Sequence, residues 1–197
     1  MNINEYQNYH ETKAHTSAEF PYNTYLCSIP LDFPGVPLHW HDELELVVIK
    51  RGQGFVSVDF DKRLVHSGDI IIIPPRCLHA IEQDDTFKME YENIIFKPDL
   101  LSSGANDLCM IQYIVPLLDG SLPIEYFLTP ALGSFEALSN CIRQIDLVCA
   151  DQTPGWQLAV KSSLFNFFFL LISERQKKTV STSSNSKSLE KMKTVFF

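Results

Sequence analysis

The stretch His39-Trp40-His41-Asp42-Glu43-Leu44-Glu45, answered later by Gly68-Asp69-Ile70-Ile71-Ile72-Ile73-Pro74-Pro75-Arg76-Cys77-Leu78-His79, decides how the chain is read. In an extended strand alternate residues share a face, so His39, His41 and Glu45 point one way, with Glu43 beside them. His79, just past the Pro-Pro pair, supplies a fourth donor from a neighbouring strand. Imidazole and carboxylate donors of this kind suit Zn, Ni, Fe or Mn. On the residues alone two readings stand: a mononuclear metal site inside a β-barrel, or the polar floor of a cavity held by its own hydrogen bonds.

The flanking sequence supplies the barrel. Tyr22–Ile29 has β-favouring composition, Leu44–Ile49 is a short apolar run, and Lys50-Arg51-Gly52 reads as a turn. Phe55–Phe60 alternates, placing Val56, Val58 and Phe60 on one face, and Asp61-Lys62 reads as a hairpin tip. Ile70–Ile73 is a fully apolar strand stopped by proline, which cannot donate to a ladder. Cys77–Gln83 and Phe87–Phe96 complete a set of roughly eight short strands, the pattern of a barrel or sandwich.

After Pro98 the alternation ends. Leu108–Leu118 reads as a short helix stopped near Pro116. Ser134–Ala150 reads as an amphipathic helix capped by Ser134, with Phe135, Leu138, Ile142, Ile145 and Cys149 recurring at steps of three and four, close to a coiled-coil seam. Trp156–Arg175 is apolar over much of its circumference and reads as a helix buried on more than one side. Its apolar run, Phe165–Ile172, falls short of the roughly 20 residues of a membrane span. Lys177–Ser188 is a Ser/Thr-rich linker by composition. A new amphipathic pattern starts at Leu189, continues through Met192, Val195 and Phe196, and reads as the start of a further domain.

The chain has 197 residues, 45% hydrophobic and 20% charged, a globular composition. The net charge of −8 is uneven: six Lys/Arg against two Asp/Glu from Glu174 onward make the tail +4 and leave the body at −12. Such a body is a poor surface for nucleic acid, which needs clustered cations. Five scattered cysteines without a Cys-x-x-Cys pair, and a polar start with no apolar signal region, fit reduced thiols in a cytoplasmic protein. Neither a nucleophile–His–acid arrangement nor a phosphate-binding glycine loop is evident. His10, His15 and His66 read as exposed. Trp40 points away from the two histidines, toward core or interface.

The spacing carries a resemblance. Gly35-x3-His39-x-His41-x3-Glu45-x6-Gly52 is similar to the first cupin motif, and Gly68-x5-Pro74-x4-His79 to the second. Gly35 lies two residues closer than usual, Arg76 stands where glycine is usual, and Gln83 where asparagine is common. The whole segment from Leu38 to Ile81 resembles the N-terminal sensing domain of AraC/XylS-type transcription regulators. The resemblance implies a mainly β fold with C-terminal helices: a cupin (double-stranded β-helix, jelly-roll) barrel over 1–98 that binds an effector, a helical dimerisation region over 99–176, a linker over 177–188, and the start of a helix-turn-helix DNA-binding domain at 189–197. It implies an effector site at His39, His41, Glu45 and His79, the four also able to hold a divalent metal; Arg76, on the loop next to His79, reads as a further contact for an anionic effector. It also implies a homodimer through helices 134–150 and 155–175, seamed by Phe135, Leu138, Ile142, Ile145 and Cys149, and DNA as a partner of the C-terminal domain. No membrane role and no catalytic residues follow from it. The rival expectation is a small cupin metalloenzyme, of dioxygenase or isomerase type, with a three-His/one-Glu metal.

Overall fold

A computed structural model describes residues 3–104 and 107–194, with residues 177–194 described by backbone alone. The strands are β1 (Tyr22–Ile29), β2 (Gly35–His39), β3 (Leu44–Val58), β4 (Asp61–His66), β5 (Ile70–Ile73), β6 (His79–Gln83), β7 (Met89–Phe96) and β8 (Phe127–Leu128). The helices are α1 (Ile3–Gln7), α2 (Val115–Leu118), α3 (Phe135–Asp151) and α4 (Trp156–Thr194). The chain divides into two compact units, Met1–Leu132 and Gly133–Phe197.

The first unit is built around β3. Its first half pairs with β5 and β7, its second half with β4 and β6, so one strand belongs to two antiparallel sheets. The sheets run β1-β7-β3-β5-β8 and β2-β6-β3-β4. The expected turn at Lys50-Arg51-Gly52 is not a turn. A register shift lies between Ile49 and Arg51, and Gly52 sits at φ +77, bending the strand from one sheet into the other. A Cβ on Gly52 would lie 1.8 Å from the Lys88 carbonyl oxygen, so only glycine permits this crossing.

Other boundaries move for local reasons. The hairpin tip is Asp59-Phe60, both at positive φ as a two-residue primed turn requires, with Val58 facing Asp61. Phe60 therefore leaves the strand and is exposed instead of sharing a face with Val56 and Val58. β8, too short for its alternation to show, adds to the edge of β5, so the first unit extends well past residue 98. Helical backbone runs over 108–118 as expected, but Pro116 does not stop it: it follows a π-helical turn over Met110–Ile114 and sits in the first turn of α2.

Odd residues of β3 and β5 (Val47, Ile49, Ile71, Ile73) join Val56, Val58, Ile81, Met89 and Tyr91 in the barrel interior. Even residues (Leu46, Ile70, Ile72) are buried on the other face, so a continuous apolar run is what such a strand needs. All five cysteines are free thiols.

In the second unit α3 and α4 pack together. Ser134 takes a turn conformation, φ −90 and ψ 1, and makes no capping hydrogen bond. Leu138, Ile142 and Ile145 are buried within the chain, and Phe135 and Cys149 are half-buried. α4 buries the stripe Val160, Leu164, Phe167, Phe168 and Leu171 but leaves Leu158 and Phe169 exposed, so it is buried on one side only. By length and composition Trp156–Gln176, mean hydropathy 1.3, is long and apolar enough to cross a membrane, which corrects the length argument made from Phe165–Ile172. Helical backbone continues to Thr194 through the Ser/Thr-rich stretch, which contains neither Gly nor Pro to break it. Of the expected start of a DNA-binding domain at 189–197, residues 189–194 continue this helical backbone and residues 195–197 lie outside the described residues.

Candidate functional site

His39 ends β2 and His79 begins β6, and the two are paired across the strands. A register shift between Val36 and His39 turns both of these side chains toward the interior. His41 lies in the connection after β2 and Glu45 at the start of β3 on its inward face, so the four donors come from four segments, and His39, His41 and Glu45 do not share one extended strand. They converge all the same. Nε2 of His41 is 3.0 Å from Oε2 of Glu45, and Nε2 of His79 approaches the same oxygen at 3.4 Å without the alignment of a hydrogen bond. Donor nitrogens of His39, His41 and His79 all lie within 4.8 Å of one another.

Two backbone carbonyls set the ring orientations. Nδ1 of His39 donates to the Pro37 carbonyl at 2.9 Å, and Nδ1 of His79 to the Cys77 carbonyl at 2.9 Å. A carbonyl only accepts, so in both neutral rings Nε2 is the lone-pair nitrogen, turned into the cluster. This is the outer support that metal-binding imidazoles need. The buried Nε2 of His79 has no hydrogen-bond partner, and the donor set of nitrogen and carboxylate oxygen is that of first-row divalent metals, so these residues fit such an ion. A bound divalent ion would neutralise Glu45 and offer open positions to an effector's oxygen or nitrogen.

The group forms the floor of a cavity of about 210 Å³ inside the barrel. That is smaller than the roughly 300–1,000 Å³ of drug-sized sites and suits a small metabolite or a hydrated ion. Val36, Ile81 and Ile95 provide apolar wall.

Sequence reasoning missed one side of the site. Glu11 and His15 line the cavity, and His15 is buried instead of exposed. His15 Nε2 is 2.9 Å from Glu11 Oε2, and the same oxygen is 3.4 Å from Nε2 of His39. Trp40 explains their placement. Its backbone N–H donates to the Tyr9 carbonyl and its carbonyl accepts from Glu11, both at 2.9 Å, while its indole N–H donates to the Tyr6 carbonyl at 2.8 Å. Its ring is buried and stacks on Tyr6 and His10. Nothing in the alternation of residues 1–20 signals this contact; the only trace is a run of three donors, His10, Glu11 and His15. His10 and His66 are exposed, as expected.

Arg76 stands apart. It is exposed, pairs with Asp42 at 2.8 Å and does not line the cavity. Its φ of +62 keeps the left-handed backbone that explains a glycine at this place in the motif.

The electrostatics follow from burial and pairing. Burial raises the Glu45 carboxyl, but the hydrogen bond from His41 and the nearness of His79 outweigh it and hold the group far below the usual carboxylate range. Burial lowers His41, yet Glu45 and Glu43 bring it above its ordinary 6.5, whereas burial and the neighbouring His79 leave His39 below it. A raised folded pKa stabilises below 6.5 and loses that stabilisation as pH climbs through the folded value. A lowered histidine loses stability as pH falls below 6.5, and the depressed Glu45 does so below 4.5. The urea midpoint of the chelator-stripped chain is therefore expected to peak near pH 6.5, with the alkaline decline removed in His41→Asn. A midpoint that keeps rising above pH 7 in the wild type would contradict this.

Comparison with known proteins identifies the fold's relatives. The family described as the AraC-like ligand binding domain matches residues 25–168. The chain belongs to that family. The AraC-like chain is 32% identical over 159 residues to the uncharacterized HTH-type transcriptional regulator YdeC of Bacillus subtilis strain 168, covering 80% of this chain and 54% of that protein. It is 26% identical over 72 residues to a second regulator of that organism, YbfI, covering 36% of this chain and 26% of that protein. The chain thus spans about half the length of the first of these relatives. Among solved structures it is similar to a cupin protein (BF4112) from Bacteroides fragilis, with 24% identity, a TM-score of 0.38, and coverage of 45% of this chain and 80% of that one. A Cupin 2 conserved barrel domain protein from Salinispora arenicola CNS-205 matches at 22% identity and a TM-score of 0.35, over 40% of this chain and 65% of that one.

Proposed function

We propose that this AraC-like chain is the effector-sensing and dimerisation part of a cytoplasmic, DNA-binding transcription regulator, and that it is not an enzyme. A small ligand or a divalent metal on the floor formed by His39, His41, Glu45 and His79 shifts how the dimer presents its DNA-binding domains. The observation that carries the proposal is the convergence of these four residues on an interior cavity in a chain of a ligand-binding family. That curated relatives are named as helix-turn-helix regulators supports the output. The domain assignment goes with this reading: barrel, helical dimerisation region, linker over 177–188, then a DNA-binding domain opening at 189.

Leu138, Ile142 and Ile145 are already buried within one chain, so a dimer seam would be built from the apolar side chains left exposed on the same helices, Leu147 on α3 and Leu158 and Phe169 on α4. Leu158 and Phe169 lie three turns apart on one helix face. The double variant Leu158→Asp/Phe169→Asp is expected to sediment as a monomer with its helicity intact; an unchanged dimer would remove these residues from the seam.

Footprinting the whole gene product on the DNA upstream of its own gene tests the regulator reading. Protection of two half-sites spaced by about one helical turn is expected. Absence of sequence-specific protection at any ligand condition would refute it.

A further inference from the structure

The N-terminal segment brings a second carboxylate to the cluster, and its geometry calls for a positive charge between them. We propose that Glu11 is itself a ligand of the cation taken by His39, His41 and His79, so that the segment carrying it completes the site as a donor. The inference rests on reading that group as a cation site.

Two contacts carry it. His39 spends its Nδ1 proton on the Pro37 carbonyl, and its Nε2 then faces Glu11 Oε2 at 3.4 Å. His79 spends its Nδ1 proton on the Cys77 carbonyl, and its Nε2 faces Glu45 Oε2 at 3.4 Å. In each case a lone pair opposes a carboxylate oxygen, an arrangement that repels unless a cation lies between the two. Protonating both rings would place two imidazoliums side by side, since the ring centroids of His39 and His79 are 4.1 Å apart. One divalent ion relieves both contacts at once, because three imidazoles and carboxylate oxygen are its ordinary ligands.

Glu11 is built into this position. His15 holds the carboxylate from one side through Nε2 at 2.9 Å, and the His15 carbonyl in turn accepts from Asn23 Nδ2 at 2.9 Å. Trp40 holds the Glu11 backbone from the other side at 2.9 Å. His15 is thus a positioning residue for Glu11.

Titration of the chelator-stripped 197-residue chain with Co(II) tests the proposal, read by calorimetry, by the visible ligand-field bands, and by the rate at which trypsin cuts after the exposed Lys13. The wild type is expected to bind one Co(II), which slows cleavage at Lys13. Glu11→Gln is expected to bind about tenfold or more weakly, with altered bands and no slowing of that cut. Glu11→Asp, which keeps the charge but shortens the reach, is expected to bind more weakly as well. Wild-type affinity and bands in Glu11→Gln, or no Co(II) binding by the wild type, would overturn the proposal. Failure of the regulator reading would appear as missing DNA protection and would leave these titrations unchanged.

Discussion

Replacing Glu45 by alanine is expected to destabilise the barrel by about 3 kcal/mol, more than any other single change in the cavity floor. Glu45 is fully buried, and its Oε2 accepts from His41 Nε2 at 3.0 Å and lies 3.4 Å from His79 Nε2. Removing it leaves the buried His41 imidazole without its acceptor, and a stranded polar group costs more than the hydrogen bond itself contributes. It also opens a void under β3. Glu45→Gln keeps the shape and one acceptor oxygen and is expected to cost less than half as much. Urea unfolding at pH 6.5, without added metal, checks both. A cost under about 1 kcal/mol for Glu45→Ala would mean that the floor relaxes freely and that the polar network is not fixed by this residue.

Gly52→Ala is expected to be as damaging, for a reason unrelated to polarity. Gly52 sits at φ +77, where a side chain costs about 1–2 kcal/mol, and its Cβ would meet the Lys88 carbonyl at 1.8 Å, for a further 1–3 kcal/mol. Gly120 offers a matched control. Its φ is +78 and nothing lies within 4 Å of its Cβ position, so Gly120→Ala carries the backbone strain alone. The difference between the two variants isolates the close approach of β3 to Lys88. Equal unfolding midpoints would show that the strand does not cross between sheets as described.

The floor was legible because the His, Glu and Gly spacing is local and chemically unusual. So were most strands, whose apolar residues alternate or run together as the two-sided burial of Ile70–Ile73 demands. What escaped detection depends on contacts distant in sequence or on single backbone angles. Glu11 and His15 reach the site only because Trp40 holds the Tyr6–Glu11 backbone, and no periodicity in residues 1–20 encodes that. Gly52 reads as a turn from composition but acts as a bend within one long strand. The heptad-like stripe of α3 reads as a dimer seam, yet the same periodicity serves an intrachain core, and Leu138, Ile142 and Ile145 are buried within one chain. Arg76 looked adjacent to His79 in sequence, yet the left-handed backbone there turns it out to Asp42.

We propose that His39, His41, Glu45 and His79 form one binding floor for a single occupant. Native mass spectrometry of the tag-free protein purified from its own cells tests it most directly. One additional mass, a single ion or small molecule, is expected in the wild type, and its loss in a His41→Ala/His79→Ala variant that remains folded. A wild-type mass equal to the bare chain, or an occupant that survives the double variant, would contradict it.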